Sequence, residues 1–356
     1  MKKILVIAAL LLAVSCKKKG CTDPTAINYN QHAESDDGSC NYEYNDNALP
    51  LTINSDLTLT NDKIWYLVGR TIVTNGATLT IEPGTIIKGN SGTGANASCL
   101  LIAKGAKIDA QGTSQQPIVF TSIADNIGIG QRKGTSLDEN TNGLWGGLII
   151  LGNSPISADN VSMQIEGIPA SETNGLYGGI DELDNSGTLN YVSIRHGGAN
   201  IGEGNEINGL TLGGVGSGTT INNIEIVGNQ DDGVEWFGGN VNVSNILVWS
   251  VGDDCIDIDQ AYSGNINNVL IIPGSTTDHA LEIDGGEGLW NAPFNLYNCE
   301  IVSDLAQAHF RAAAEGYVQY FGNLNIEADL GTNVVVDTLT TGIDISIFNW
   351  TYYYSN

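Results

Sequence analysis

Between residues 71 and 122 the chain alternates apolar and polar positions in short runs broken by Gly, Asn and Pro. TIVTNGATLTIEPGTIIKGN (71–90) and LLIAKGAKIDAQGTSQQPIVFTS (100–122) both read this way. Strand side chains point alternately to opposite faces, so a period of two with turn residues at the breaks predicts short strands rather than helices. Ile81 and Ile102 lie 21 residues apart, a spacing that suits one coil of a solenoid. GLWGGLIILGNSPI (143–156) predicts a further rung, reached through an Asn- and Gly-rich insertion that projects as a loop.

The repeat is plainest further along. Asn223-Ile-Glu-Ile, Asn245-Ile-Leu-Val and Asn268-Val-Leu-Ile open successive coils at spacings of 22 and 23. Each runs on to an acidic turn and a second short strand: DDGVEWF (231–237), DDCIDID (253–259) and DHALEID (278–284). Self-similarity at this period, without helical periodicity, predicts an all-β solenoid with coils of about 22 residues that bury apolar side chains on their neighbours. Val234, Ile256 and Leu281 are expected to stack inward, as are Trp236, Ile258 and Ile283, with Glu235, Asp257 and Glu282 outward between them. The opening asparagines are expected to form a ladder at a turn. Arg195 and His196 begin another coil, with the His196 ring satisfied by backbone.

Composition narrows the partners. The 356 residues include 14 Lys+Arg against 40 Asp+Glu, a formal net charge of −26. Phosphate binding needs a basic face, which excludes nucleic acid and leaves cations, basic surfaces, or neutral and hydroxylated ligands. Only 15% of residues are charged and 41% are hydrophobic, enough to fill a core. One elongated β domain fits better than two compact α/β domains.

The chain starts MKKILVIAALLLAVSC. Lys2 and Lys3 precede an apolar stretch (4–14) too short to span a bilayer. AVSC resembles a bacterial lipobox, which implies a lipoprotein signal peptide over 1–15, acylation of the Cys16 thiol and an acylated tether over 16–19. An ordinary cleaved signal peptide is the alternative. Acyl chains contribute about 0.8 kcal/mol per buried methylene, so the product is anchored to the outer membrane rather than spanning it. Cell-surface display is expected, with the periplasmic face left open because Lys17, Lys18 and Lys19 depart from the acidic residues usual after the cysteine of surface-exported lipoproteins.

Residues 20–42, GCTDPTAINYNQHAESDDGSCNY, carry Cys21 and Cys40 19 positions apart. In an oxidising compartment a disulfide is the default reading, worth about 3 kcal/mol for a loop of this size. The segment resembles a short module found near the termini of Bacteroidetes surface proteins. Asp23, Asp36 and Asp37, with Asn28 and Asn30, offer hard oxygen ligands for Ca²⁺, and the same residue types also serve plain turns. A linker (43–50) then leads into one domain over 51–356, closed by a C-terminal cap.

Residues 50–350 resemble the pectin-lyase-like right-handed parallel β-helix. More narrowly, TLTIEPGT (78–85), GLWGGLIILG (143–152), TLGGVGSGTTI (211–221) and DDGVEWFGG (231–239) are similar to motifs of a group of Bacteroidetes lipoproteins, from which no activity carries over. Polygalacturonase-type glycoside hydrolases share the fold. Against their motifs, NQDD supplies Asp231 or Asp232, VGDDC supplies Asp253 and Asp254, and His279 and Arg311 follow in order. Gly252 to Cys255 matches letter for letter. Such a resemblance implies an inverting hydrolase with a general acid, bases holding a water, and an arginine on the substrate carboxylate. Gln230 stands where that family has threonine, Asp278 and Ala280 replace the glycines around the histidine, and no lysine follows Arg311. The net charge also repels polyuronates.

Two other readings compete. Asp231, Asp253, Asp257, Asp278 and Glu282 suit Ca²⁺, either structural or bridging a glycan, with Trp145, Trp236, Trp249 and Trp290 as stacking platforms unless they are packed in the core. Alternatively, the acidic residues are solvated turn positions. Cys255 and Cys299 are expected as buried thiols. The expected function is an anchored, non-catalytic envelope protein that binds a glycan or an outer-membrane protein complex, with glycoside hydrolysis by Asp231/Asp232, Asp253 and Asp254 as the alternative.

Overall fold

A computed structural model describes residues 18–22, 26–35, 47–201, 207–283, 292, 294–301, 309–312, 316–322, 334–338 and 345–355. The stretch expected as a signal peptide (1–15), Cys16, Asp23, Asp36, Asp37, Cys40 and Trp290 lie outside these residues. The chain divides into two units, 1–43 and 44–356. In the smaller unit Gly20 N–H donates to Ser35 O (3.2 Å) and Asn30 N–H to Cys21 O (2.9 Å), with Cys21 buried at 1% exposure.

The larger unit is a right-handed parallel β-helix. It begins inside the stretch expected as a linker: Leu49 is buried and its N–H donates to Tyr66 O (2.8 Å). Two sheets run its length. One is nine-stranded, taking one strand from each successive coil, including Cys99–Ile102, Leu148–Leu151, Leu210–Gly213, Val234–Phe237, Ile256–Ile258 and His279–Ile283. The other has thirteen strands and is folded along a bend.

The asparagines make that bend. In the first coils separate strands flank it, such as Thr78–Ile81 and Ile86–Gly89. From Gly187–Arg195 onward a single strand passes through, and one residue per coil turns left-handed: Tyr191, Asn223, Asn245, Asn268 and Asn298, with φ between 50° and 63°. Asn tolerates this conformation better than other non-glycine residues. Asn268 Nδ2 donates to Asn245 Oδ1 (2.9 Å), Asn245 Nδ2 to Asn223 Oδ1 (3.1 Å), and Asn223 Nδ2 to Asn190 Oδ1 (2.8 Å). The expected ladder is present, and it lies within strands rather than at their start.

Val234, Ile256 and Leu281 stack in register, as do Trp236, Ile258 and Ile283, and all six are within 1% of complete burial. Each such aliphatic contributes about 1.5–3 kcal/mol relative to exposure. Trp145 and Trp236 are fully buried in this core, which takes them out of consideration as stacking platforms. Trp249 packs beside Tyr352 and Tyr353. Cys99, Cys255 and Cys299 are buried free thiols. His196 is buried with Nδ1 2.7 Å from Thr141 O, as the sequence suggested.

The segment 345–355 lies against the outer wall of the middle coils. Phe348 covers Leu247 and Leu270, Tyr353 N–H donates to Glu225 Oε1 (3.3 Å), and the Tyr352 hydroxyl donates to Leu137 O (3.1 Å). Beneath it, strand alternation turns Ser193, Arg195 and Glu225 out of the core, yet all three are buried. Arg195 Nη2 lies 3.5 Å from Glu225 Oε2, Ser193 Oγ donates to the same oxygen (2.6 Å), and Arg195 Nη1 donates to Arg132 O (2.6 Å).

Candidate functional site

The acidic turns precede the strands Val234–Phe237, Ile256–Ile258 and His279–Ile283, so they stack along one edge of the helix. Backbone bonds set their register. Gly252 N–H donates to Asn229 O (2.9 Å), Asp278 N–H to Asp253 O (3.0 Å), and Cys255 N–H to His279 O (3.0 Å). Gly252 is required by this closeness, because a Cβ there meets Gln230 O at 2.1 Å.

The paired aspartates point in different directions. Asp232 (7% exposed) and Asp254 (2%) turn into the wall and cap the neighbouring coil. Asp232 Oδ1 accepts the Asp254 N–H (3.0 Å), and Asp254 Oδ1 accepts the His279 N–H (2.8 Å) and lies 2.7 Å from His279 Nδ1. Asp253 and Asp278 are exposed and Asp231 half-buried. These three line an open polar groove with Gln230, Gly252, Thr276 and Thr277.

Burial and crowding make the inward acids hard to ionise. Asp232 is raised well above the usual carboxylate range, first by desolvation and then by the charges of Asp257, Asp231 and Asp254. Glu235 is raised likewise, by burial and then by Asp232 and Asp257. Asp254 is pushed up to about 10 by burial, by its hydrogen bond with the Glu282 side chain, and by nearby carboxylates. At neutral pH Asp254 is therefore a neutral acid and a hydrogen-bond donor.

The structure does not bring the five acids expected around one cation to a single point. Among the described residues it forms three clusters, in each of which one oxygen or nitrogen per residue lies within 4.8 Å of the others: Asp231, Asp232 and Asp253; Asp232, Glu235 and Asp257; and Asp254, His279 and Glu282. Asp278 stands apart, 66% exposed, with Oδ2 3.8 Å from His279 Nδ1. Arg311 falls in register with Glu282 one coil on, its side chain outside the described residues.

Sequence reasoning missed two residues here. Glu235, expected outward, leaves the core side as alternation requires but is only 5% exposed. Asn208, from the preceding coil's turn, donates through Nδ2 to Glu235 Oε2, and the charge of Glu166 in the insertion acts on the same carboxyl. The repeat of Leu210 with Val234 was the available signal for Asn208, since it places Asn208 level with Asp232.

Comparison with known families matches residues 51–346 to the pectate-lyase-like β-helix domain. No curated protein and no solved structure matches the chain. A match of that extent over coils stacked in parallel register establishes the lineage: the chain belongs to the pectate-lyase-like β-helix family.

Proposed function

We propose that this protein is a non-catalytic glycan-binding β-helix of the bacterial cell envelope, of Bacteroidetes type. On this reading it is held at the outer membrane through an acylated Cys16 and preceded by a module closed by Cys21 and Cys40. Its ligand lies along the groove of Gln230, Asp231, Asp253, Thr277 and Asp278, where neutral hydroxyls meet carboxylate and hydroxyl acceptors.

The observation that carries the reading is the division of each aspartate pair. Hydrolysis needs two carboxyls facing one substrate, about 6.5–9.5 Å apart in an inverting enzyme. Asp232 and Asp254 are instead engaged with backbone N–H groups inside the wall. Asp231 and Asp253 present oxygens within 4.8 Å of each other, closer than a catalytic pair with a water between them.

Oxygens that close suit a hard cation, and Asp231 with Asp253 would hold Ca²⁺ in the groove, where it would supply vacant coordination positions for sugar hydroxyls. In chelator-treated protein, adding Ca²⁺ raises the melting temperature, and Asp231→Asn with Asp253→Asn abolishes the shift. An unchanged melting curve removes the cation from the proposal. Turnover on a polysaccharide panel that disappears in Asp254→Asn replaces the binding reading with the hydrolase.

A further inference from the structure

A second cavity opens on a different edge of the helix, with opposite chemistry. The first three coils cross the sheet bend with longer turns than the later ones, which turn on a single left-handed residue. The room this leaves, closed on one side by the loop 128–132, is a pocket of about 320 Å³. That volume lies at the lower end of the range for small-molecule sites. Asn61, Gln115, Gln116, Gln131, Arg132 and Ile129 line it.

Its charge is the first argument. Among the described residues no carboxylate lines this pocket, in a chain with 40 acidic residues, whereas Asp231, Asp253 and Asp278 line the other groove. The carboxylate of Glu82, which follows the neighbouring strand, is turned to the Asn61 N–H (3.0 Å). Arg132 is the one charged side chain in its lining, so a cation finds no partner here; the guanidinium is itself turned to Ser114 O and Asn349 O, and the net charge of −26 opposes an anion.

The hydrogen-bonding inventory is the second. A carboxamide offers two donors and two acceptor positions, which complement sugar hydroxyls that both donate and accept. Asn61 Nδ2 donates to Pro83 O (2.9 Å), leaving its amide oxygen for a ligand. Gln131 Oε1 accepts the Gly128 N–H (2.8 Å), leaving its NH₂ group. The side-chain carboxamides of Gln115 and Gln116 make no hydrogen bond among the described residues. Arg132 is positioned by Ser114 O (3.0 Å) and Asn349 O (3.4 Å). Ile129, 55% exposed, adds an apolar surface of the kind that meets the C–H face of a pyranose.

We infer that this pocket binds a neutral oligosaccharide, independently of the acidic groove and of any cation. Isothermal titration of the full chain with cellotriose, maltotriose and xylotriose tests it, with trigalacturonate as the anionic comparison and each run repeated in EDTA. The expected result is binding of at least one neutral trisaccharide, unchanged by EDTA and weakened about tenfold or more in Gln115→Ala with Gln116→Ala. Because these two side chains are exposed and make no hydrogen bond among the described residues, the variant keeps its melting temperature, and lost affinity then reports on the pocket. The inference is overturned if no neutral sugar binds, if the double variant binds as well as the parent, or if trigalacturonate is preferred. Binding abolished by EDTA overturns it too, by placing the sugar on the acidic groove.

Discussion

Asp232 Oδ1 accepts the backbone N–H of Asp254, its counterpart one coil on, at 3.0 Å. This bond ties two coils together through a buried carboxyl that Asp257, Asp231 and Asp254 crowd. It also settles what the second aspartate of each pair does: it supports the wall, while the first faces solvent.

Stability should therefore fall as pH rises. Asp254 carries a folded value near 10 against an ordinary 3.8, so the folded state binds more protons than the unfolded one between those limits. Folding is favoured at the acid end of that window and loses free energy as pH climbs through it. Asp232 and Glu235 are raised in the same sense. Asp254→Asn keeps an acceptor for the His279 N–H and a donor for Glu282, and it flattens the melting temperature against pH between 5 and 9 in metal-free buffer. A variant with the wild-type slope assigns the pH dependence elsewhere.

Gly252→Ala should destabilise by about 2–4 kcal/mol in urea titration, because its Cβ meets the backbone oxygen of Gln230 and one coil must shift off the other. Gly76→Ala separates this clash from backbone strain. Gly76 has φ +74° with nothing near its Cβ, so its cost is the smaller strain of a left-handed alanine, about 1–2 kcal/mol.

The ladder makes a graded prediction. Asn245→Gly keeps the left-handed bend (φ 60°) and loses two side-chain bonds, whereas Asn245→Ala loses the bonds and strains the bend. Alanine should be the more destabilising by about 1 kcal/mol in chemical denaturation. Equal losses would show that the side-chain ladder alone matters.

Arg195 and Glu225 form a fully buried pair, and removing either leaves the other charge without its partner. Arg195→Met or Glu225→Gln alone should cost about 3–5 kcal/mol, and the double variant clearly less than the sum. Additive losses would mean that each residue acts through its other contacts: Arg195 with Arg132 O, Glu225 with Tyr353 N–H.

The core was legible from sequence because its determinants are local and repeated. Val234, Ile256 and Leu281 are each two residues before their next inward neighbour and about one coil from each other, so alternation and period together place them. The asparagine ladder followed from the same spacing. Arg195 with Glu225 was not legible: alternation points both outward, and contacts distant in the chain cover them, Arg132 O on Arg195 and the 345–355 segment on both.

Sequence by itself determined the parallel coils, their inward columns and the acidic edge, since these depend on period and side-chain alternation. Only the tertiary structure decided which acids on that edge face a ligand. Asp231 and Asp232 are adjacent in the chain, as are Asp253 and Asp254, and nothing in their order tells them apart. What distinguishes them is the neighbouring coil, whose N–H groups draw Asp232 and Asp254 inward and leave Asp231 and Asp253 to the groove.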